Sequence, residues 1–580
     1  MRLGSSKWSV AGLVVIIGTL AMLLSACGTT SSSSGNPASK DKQIFKPLTS
    51  GPNAGDIDNL DPGQIQFGFD YDKAQMIYPA LITLSDDLKP IDWAAKSHEV
   101  SSDGLTYTFH LNSGMKWSDG TAIDANTFAY AINRSLDPCF ASGVSYYNLN
   151  IKGSTDYNSK TCDAATTTDE WNGLDKTAKT ALIGKSIVVS DPLTLAITIE
   201  APAAYFLSEM SYPTFWGVPQ QLIAKYGQSK WTDHMADGNG LGGNLYKLTK
   251  WDKAGHLEFT ANDSFWGKPA IIQHVNYTLY KDVNTEWADY KSGVGDASNF
   301  PATELQTAKN IKGSTYQQVT ALSISWLQFS WNLAPFDDVR VRNAFSLAID
   351  RKAIATNVSK GLAQPTIHMV INGLPGYNPD LKNAAGDSGD KALTANIAKA
   401  QELAKAYAAD KCSGDFSKCT PIIYTYVNGI STQLLLAQVL QQEWQTAFPG
   451  WPITLQGMDR SVELKSYPRL QIAWGGWGAD YPDPQDFLTL LWSKDAQYNQ
   501  SFVNVPAADA LMKQADVNPD QTARLKQYQQ AEQLLIDQGA FIAYSQPLNT
   551  QVVKNTISGW HQDSSLEIAL PTWQTAYVKA

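Results

Sequence analysis

The sequence predicts an α/β protein with mixed sheets and more than one domain. Two observations carry that expectation. Between residues 325 and 473, stretches of helical periodicity alternate with short β-branched or aromatic stretches, the pattern of helices packed on a sheet. The chain's 580 residues suffice for two to four domains. A composition that is 43% hydrophobic and only 17% charged belongs to a folded chain rather than a disordered one.

Taken in order, residues 1–27 read as a targeting segment. Arg2 and Lys7 give a positive start, and residues 10–24 form an apolar run of 15, short for a membrane span. It ends in Leu24-Ser25-Ala26-Cys27, which resembles a bacterial lipobox, where the cysteine becomes the lipidated first residue of the mature protein. Residues 28–42, Ser-rich through most of their length, are expected to be a flexible tether holding the body outside the cell membrane.

Asp58 to Pro62 is a turn, and residues 75–84 are expected to be helical. Leu105, Tyr107, Phe109 and Leu111 alternate with polar residues, a half-buried strand. Asp124 is the expected N-cap of a helix carrying Phe128, Ala131, Ile132 and Leu136 on one face. Residues 138–179 are polar and irregular and read as a surface insertion. Residues 187–199 read as a hairpin around Asp191-Pro192. Helices are expected over 284–291, 337–354, 393–409, 431–446 and 520–538. Strands are expected over 275–279, 325–332, 453–456, 470–473 and 540–544. Asp350-Arg351 reads as a helix-end ion pair.

Besides Cys27 there are four cysteines. An even number in an exported chain fits two bridges. Local pairing, Cys139–Cys162 and Cys412–Cys419, is our choice among three connectivities. No CxxC or paired-His spacing points to a metal, and no cofactor is expected. The net charge of −10 and the lack of a Lys/Arg run exclude nucleic acid as the partner.

The stretch 473–492, AWGGWGADYPDPQDFLTLLW, is the candidate site. Pro482 and Pro484 push the residues before them into extended geometry. Trp474, Trp477, Asp480 and Tyr481 are therefore expected on a loop leading into a helix at 486–491. A carboxylate among aromatic rings suits a cation. The alternative is that the tryptophans are core and that Asp480 and Asp483 cap a turn or helix.

Enzyme readings find little support. There is no GxSxG or HExxH, and Gly184-Lys185-Ser186 lacks the first glycine of a phosphate loop, since residue 179 is Lys. A secreted glycosidase using two of Asp480, Asp483 and Asp486 stays a minor alternative, because Asp483 and Asp486 lie where helix capping is the commoner role.

Several stretches, in this order, resemble the extracytoplasmic solute-binding proteins of ABC importers, in the oligopeptide- and dipeptide-binding branch (family 5). They are DGLTYTFHLNSGMKWSDGT (103–121), GGNLYKL (242–248), FTANDSFWGKP (259–269), NLAPFDDVRVRNAFSLAIDR (332–351) and ADYPDPQDFL (479–488). The resemblance implies a two-lobed, hinged α/β fold with an extra inserted domain. The first domain is expected over 43–84, 185–300 and 543–580, the second over 85–184 and the third over 301–542. It implies a binding protein, not an enzyme, that traps solute between its lobes and serves a permease as a monomer. Asp480 is implied to pair with a peptide's α-ammonium group, Trp477, Trp474 and Tyr481 to wall the cleft, and residues 242–246 to lie at the lobe junction. Two departures stand out. No cationic side chain occupies 472–474, where some peptide binders meet the peptide carboxylate, and the insertion at 138–179 has no counterpart. An oligosaccharide or another small solute is the alternative ligand, and a sensory role the alternative use.

Overall fold

The computed structural model describes residues 35–50, 55–162, 182–496, 498–562 and 569–580. Cys27, most of the tether and the later part of the insertion lie outside these residues. The tether is shorter than expected. From Pro37 onward the chain is docked: Pro37 bridges to Lys579, and the Ala38 amide donates to the Val578 carbonyl at 2.8 Å. The buried Gln43 amide holds this seam by donating to the Ala38 and Val578 carbonyls. No helix among the described residues is long and apolar enough to cross a membrane.

The body from Pro37 onward has two lobes. The first lobe packs two sheets and short helices on one core. Tyr246–Asp252, His256–Ala261 and His274–Tyr280 run antiparallel, and Ile44–Phe45 and Leu48–Ser50 add in parallel. A four-stranded antiparallel sheet follows the order Ala95–Val100, Thr106–Leu111, Thr194–Thr198, Ile187–Asp191. In Thr106–Leu111 the side chains of Tyr107, Phe109 and Leu111 are buried, as the alternation requires. Asp124 caps Ala125–Ser135 by accepting from the Asn126 and Thr127 amides, and the Thr127 hydroxyl accepts from the Asp124 amide.

Three expectations need correction here. The helix lies earlier, at Gly68–Ala74, and Ile82–Leu84 is a strand. Pro79 cannot sit inside a helix and disfavours helical geometry at Tyr78. The boundary at 184 also cuts through a unit, because the hairpin at 187–198 completes the sheet begun at 95. The described residues of the segment 85–184 form no core of their own. Phe109, Phe128 and Tyr147 share one cluster with Phe45, Phe259 and Trp573. Residues 242–246 lie inside this lobe: a methyl group on Gly243 would be 2.8 Å from the Trp117 ring.

The second lobe is built on an eight-stranded mixed sheet: six strands follow the order Ala297–Ser298, Phe541–Lys554, Ser323–Phe329, Ile472–Gly478, Ile422–Val427, Ile453–Met458, and Ser314–Thr320 and Ala363–Pro365 also pair with Phe541–Lys554. The last two strands are parallel to each other, and the central pairs are antiparallel. Helices cover both faces. Leu327, Phe345 and Trp444 fill one side, and Trp326, Met369 and Tyr528 the other. The single helix expected over 337–354 is two, Val339–Leu347 and Arg351–Asn357, capped by Asp338 and Asp350. Asp350 is a cap and not an ion-pair partner. The Arg351 side chain donates instead to the Ala543 and Ser346 carbonyls and the Ser346 hydroxyl.

The 14-residue strand Phe541–Lys554 runs the length of this sheet. Its start pairs with Ser323–Phe329 and its end with Ser314–Thr320 and Ala297–Ser298. The expected boundary at 542 thus falls inside one strand. Cys139 bonds Cys162, with Cα atoms 4.8 Å apart, and Cys412 bonds Cys419, at 5.0 Å.

Candidate ligand-binding site

The stretch that carries the site is a strand before it is a loop. Trp474 and Trp477 lie in Ile472–Gly478, not on the expected loop. The glycines are there for close approach. A methyl on Gly475 would lie 2.5 Å from the Trp326 ring, and one on Gly476 would lie 2.6 Å from the Trp474 ring. One edge of this strand pairs with Ser323–Phe329 along its whole length. The other edge pairs with Ile422–Val427 only at Ile472 and Ala473. From Trp474 to Gly478 that second edge has no partner strand among the described residues. The Tyr467 hydroxyl closes its start by donating to the Trp474 carbonyl at 2.8 Å.

Beyond the strand the chain turns at Asp480, then enters Pro484–Phe487 and Thr489–Trp492, two short helices in place of the one expected. Asp483 caps the first by accepting from the Gln485 amide. It also takes both terminal nitrogens of the buried Arg524, at 2.9 and 2.5 Å. Asp486 is fully buried. One of its oxygens accepts from the Trp477 indole and the Asp480 amide, both at 3.1 Å, and the other has no partner. This carboxylate fixes the Trp477 ring and the backbone at Asp480 together.

Asp480 lines a cavity of about 310 Å³. Its walls are Phe67, Tyr71, Tyr146, Tyr212, Trp477 and Tyr498, and no Lys, Arg or His is among the lining residues. The Tyr147 hydroxyl donates to Asp480, the Tyr146 hydroxyl to Tyr147 at 2.9 Å, and the Tyr498 hydroxyl to Tyr146 at 3.0 Å. The chain of hydroxyls joins the two lobes across the cleft. Loss of water raises both carboxylic acids, Asp480 to about 7 and Asp486 well above the usual carboxylate range, with the neighbouring Asp480 charge adding to the rise at Asp486. No neighbouring cation offsets either rise.

Of the four expected site residues, the structure brings Asp480 and Trp477 into the cavity wall. Trp474 stands beside it. Its ring covers Gly476, its indole donates to the Tyr544 hydroxyl at 3.0 Å, and the Arg460 guanidinium lies 5.7 Å from its ring. A cation thus approaches the 472–474 region from Arg460–Ser466, the helix on which it sits, and not from the strand. Tyr481 is a correction. It is 2% exposed, stacks on Tyr205 at 6.0 Å and meets the edge of Tyr147. It packs one lobe on the other and does not wall the cavity. The extended backbone imposed by Pro482 turns it away from Asp480, toward the first core.

Sequence reasoning missed Tyr146, Tyr147, Tyr212 and Tyr498. Tyr146 and Tyr147 fall in the segment read as a surface insertion. An aromatic pair in a polar, cysteine-bracketed stretch was the available signal. Among the described residues no group of three or more His, Cys, Asp or Glu could hold a metal ion.

Comparison with known proteins fits this architecture. The family model for bacterial extracellular solute-binding proteins, family 5, matches residues 89–499. The oligopeptide-binding protein OppA of Bacillus subtilis is 26% identical over 540 residues, covering 92% of each chain. The dipeptide-binding protein DppE of the same organism is 27% identical over 471 residues, covering 80% of each. Among solved structures, the Escherichia coli murein tripeptide binding protein MppA superposes with a TM-score of 0.74 at 20% identity, over 93% of this chain and 98% of that one. Haemophilus influenzae OppA in complex with the peptide RPPGFSPFR gives 0.72 at 20% identity, over 93% and 99%. With most of the chain matched by the family model and the two-lobed fold shared, this chain belongs to the bacterial extracellular solute-binding proteins of family 5, which are binding proteins and not enzymes.

Proposed function

We propose that this chain captures short peptides outside the cell and delivers them to an ABC permease, tethered to the outer face of the membrane by a lipid on Cys27. One observation carries the reading. Asp480, a carboxylate with no cation beside it, stands at the end of a strand with a free edge, in an aromatic cavity. A peptide supplies both missing partners. Its α-ammonium group matches the charge, and its extended main chain matches the open edge, as in recognition by strand addition. The rings add attraction for the cation. The peptide-binding names of the relatives OppA and DppE support the same reading. A saccharide is the weaker reading, because it leaves the Asp480 charge uncompensated. The anchor rests on the sequence Leu24-Ser25-Ala26-Cys27 after an apolar run, and the receptor acts as a monomer.

The test is thermal unfolding of protein that has been unfolded and refolded to strip carried-over ligand. It is scanned against pools of di- to hexapeptides and, separately, oligosaccharides. A ligand at a hundred times its dissociation constant adds about 2.7 kcal/mol of stability. A shift with peptides is expected. A shift with saccharides alone overturns the ligand assignment and keeps the fold.

A further inference from the structure

A second cavity, of about 530 Å³, opens on the first lobe, and its lining shares no residue with that around Asp480. Three segments are knitted together there. Ile151 bridges to Ile199, the Lys152 amide donates to the Thr198 carbonyl at 2.9 Å, and the Thr198 amide donates to the Ser186 carbonyl at 2.8 Å. The Leu182 amide holds the turn at 182–186 by donating to the Asn133 side-chain oxygen at 3.3 Å. Within the lining, Tyr157, Leu182 and Ser186 are buried, whereas Lys152, Lys160 and Lys185 are exposed.

The three lysines bring positive charge that the fold does not answer. None of them makes an ion pair among the described residues. Asp156 is the one carboxylate among the lining residues, and Glu200, beside the cavity, accepts from the Gly153 amide at 3.3 Å. Elsewhere lysines of this acidic chain do find carboxylates: Lys250 lies 3.1 Å from Glu258, Lys352 3.1 Å from Asp390 and Lys513 2.9 Å from Asp509. Like charges gathered around one depression repel until an opposite charge comes between them. Two backbone donors of the turn are spent. The Gly184 amide donates to the Ile187 carbonyl at 2.7 Å and the Lys185 amide to the Leu182 carbonyl at 3.0 Å. Gly184-Lys185-Ser186 is therefore no phosphate loop, in which free amides do the holding. The groups left uncommitted are the three ammonium groups and the Ser186 hydroxyl, which is buried and has no partner.

We infer that this cavity is an anion site that takes a phosphate group between Lys152, Lys160 and Lys185. Lysine ammonium groups bind phosphate as point charges on flexible stems. Three of them can close on one group without a preformed loop. Three lysines against the single carboxylate of Asp156 favour an anion over a zwitterion, whose own cation would meet the same lysines. Phosphate reaches such a site in two forms, as the headgroup of an anionic lipid or as a free oligophosphate. The inference is independent of the peptide reading, because no residue of the Asp480 cavity takes part.

The experiment is calorimetric titration of the full refolded chain at pH 7.5 with pyrophosphate, dihexanoylphosphatidylglycerol and dihexanoylphosphatidylcholine, both lipids kept below their micelle concentrations. The same titrations are run on the chain carrying Lys152→Gln, Lys160→Gln and Lys185→Gln together. The parent is expected to bind pyrophosphate, the glycerol lipid or both, and the triple substitution to weaken that binding about tenfold or more at an unchanged melting midpoint. Binding of the glycerol lipid alone assigns the site to a headgroup, and binding of pyrophosphate alone assigns it to a free oligophosphate. Three results overturn the inference: no response to either anion, equal binding by parent and variant, or choline lipid bound as tightly as glycerol lipid, which makes the contact apolar. Should the triple variant melt lower, the three single substitutions are titrated in its place, and the inference falls if none of them weakens binding.

Discussion

At the scale of single residues, Asp480 is the side chain on which binding turns. It gives up water in the cleft, receives one tyrosine hydroxyl and has no cation. An ammonium group seated there forms a charge pair, and breaking one partner of a buried pair costs about 3 kcal/mol or more. Asp480→Asn is expected to weaken peptide binding on the order of a hundredfold, read by titration calorimetry. Unchanged affinity removes Asp480 from the anchor role. The pH dependence follows from the same carboxyl. In the empty site it holds its proton up to about 7, and the ligand needs the ionised form. Affinity therefore falls as pH drops below 7, by about tenfold per unit once the carboxyl is protonated. It also declines above about 8, where the peptide's own amine loses its charge. A flat profile between pH 5.5 and 7.5 would falsify the link between binding and this ionisation.

At the scale of elements, the strand Ile472–Gly478 joins the core to the site. Its glycines at 475 and 476 let two indole rings approach it closely, and its free edge is left for the ligand. Gly475→Ala sets a methyl 2.5 Å from the Trp326 ring, itself held against Trp492. Overpacking of this kind costs about 1–3 kcal/mol. A lowered unfolding midpoint is expected, together with weaker peptide binding as the strand shifts. A variant as stable as the parent would show that the ring moves freely. The sequence made parts of this plain. The hairpin at 187–199, the cap at Asp124 and the strand alternation at 105–111 were legible because neighbouring residues decide them. The loop expected at Trp474 and Trp477 was wrong, because three glycines in a strand resemble a turn until the rings packed on them are known. The helix expected at 75–84 was wrong because the periodicity outweighed Pro79.

At the scale of the whole molecule, ionisable groups buried away from the cleft set how stability follows pH. Burial raises Asp70 and Asp516 to about 6, Glu443 to about 7 and Glu532 to about 8. These groups stay neutral in the folded chain to those values but ionise near 4 in the unfolded chain. Their contribution is present at low pH and is lost as pH rises from about 4 to 8. The ligand-free protein is expected to melt higher at pH 5 than at pH 8. Glu532 accepts from the Met369 and Val370 amides at 2.6 and 3.0 Å through one oxygen only. Glu532→Gln keeps that acceptor and removes the charge, so the difference between the two midpoints should shrink. An unaltered difference means that Glu532 does not titrate in this range.

The sequence by itself determined the α/β class, the family resemblance, the cap at Asp124 and the stretch from 473 to 492 as the place to look. These follow from periodicity, turn chemistry and motif order, all local along the chain. Only the tertiary structure decided which side chains of that stretch face the cavity. Asp480 meets Tyr147 across 333 residues, and Tyr498 meets Tyr146 across 352. No local pattern encodes those contacts. Tyr481, beside Asp480 in sequence, turns to the opposite core because Pro482 fixes its backbone and Tyr205 offers it a ring. The charge balance of the site, one-sided and without a cation, arises only when the two lobes place their tyrosines against one carboxylate.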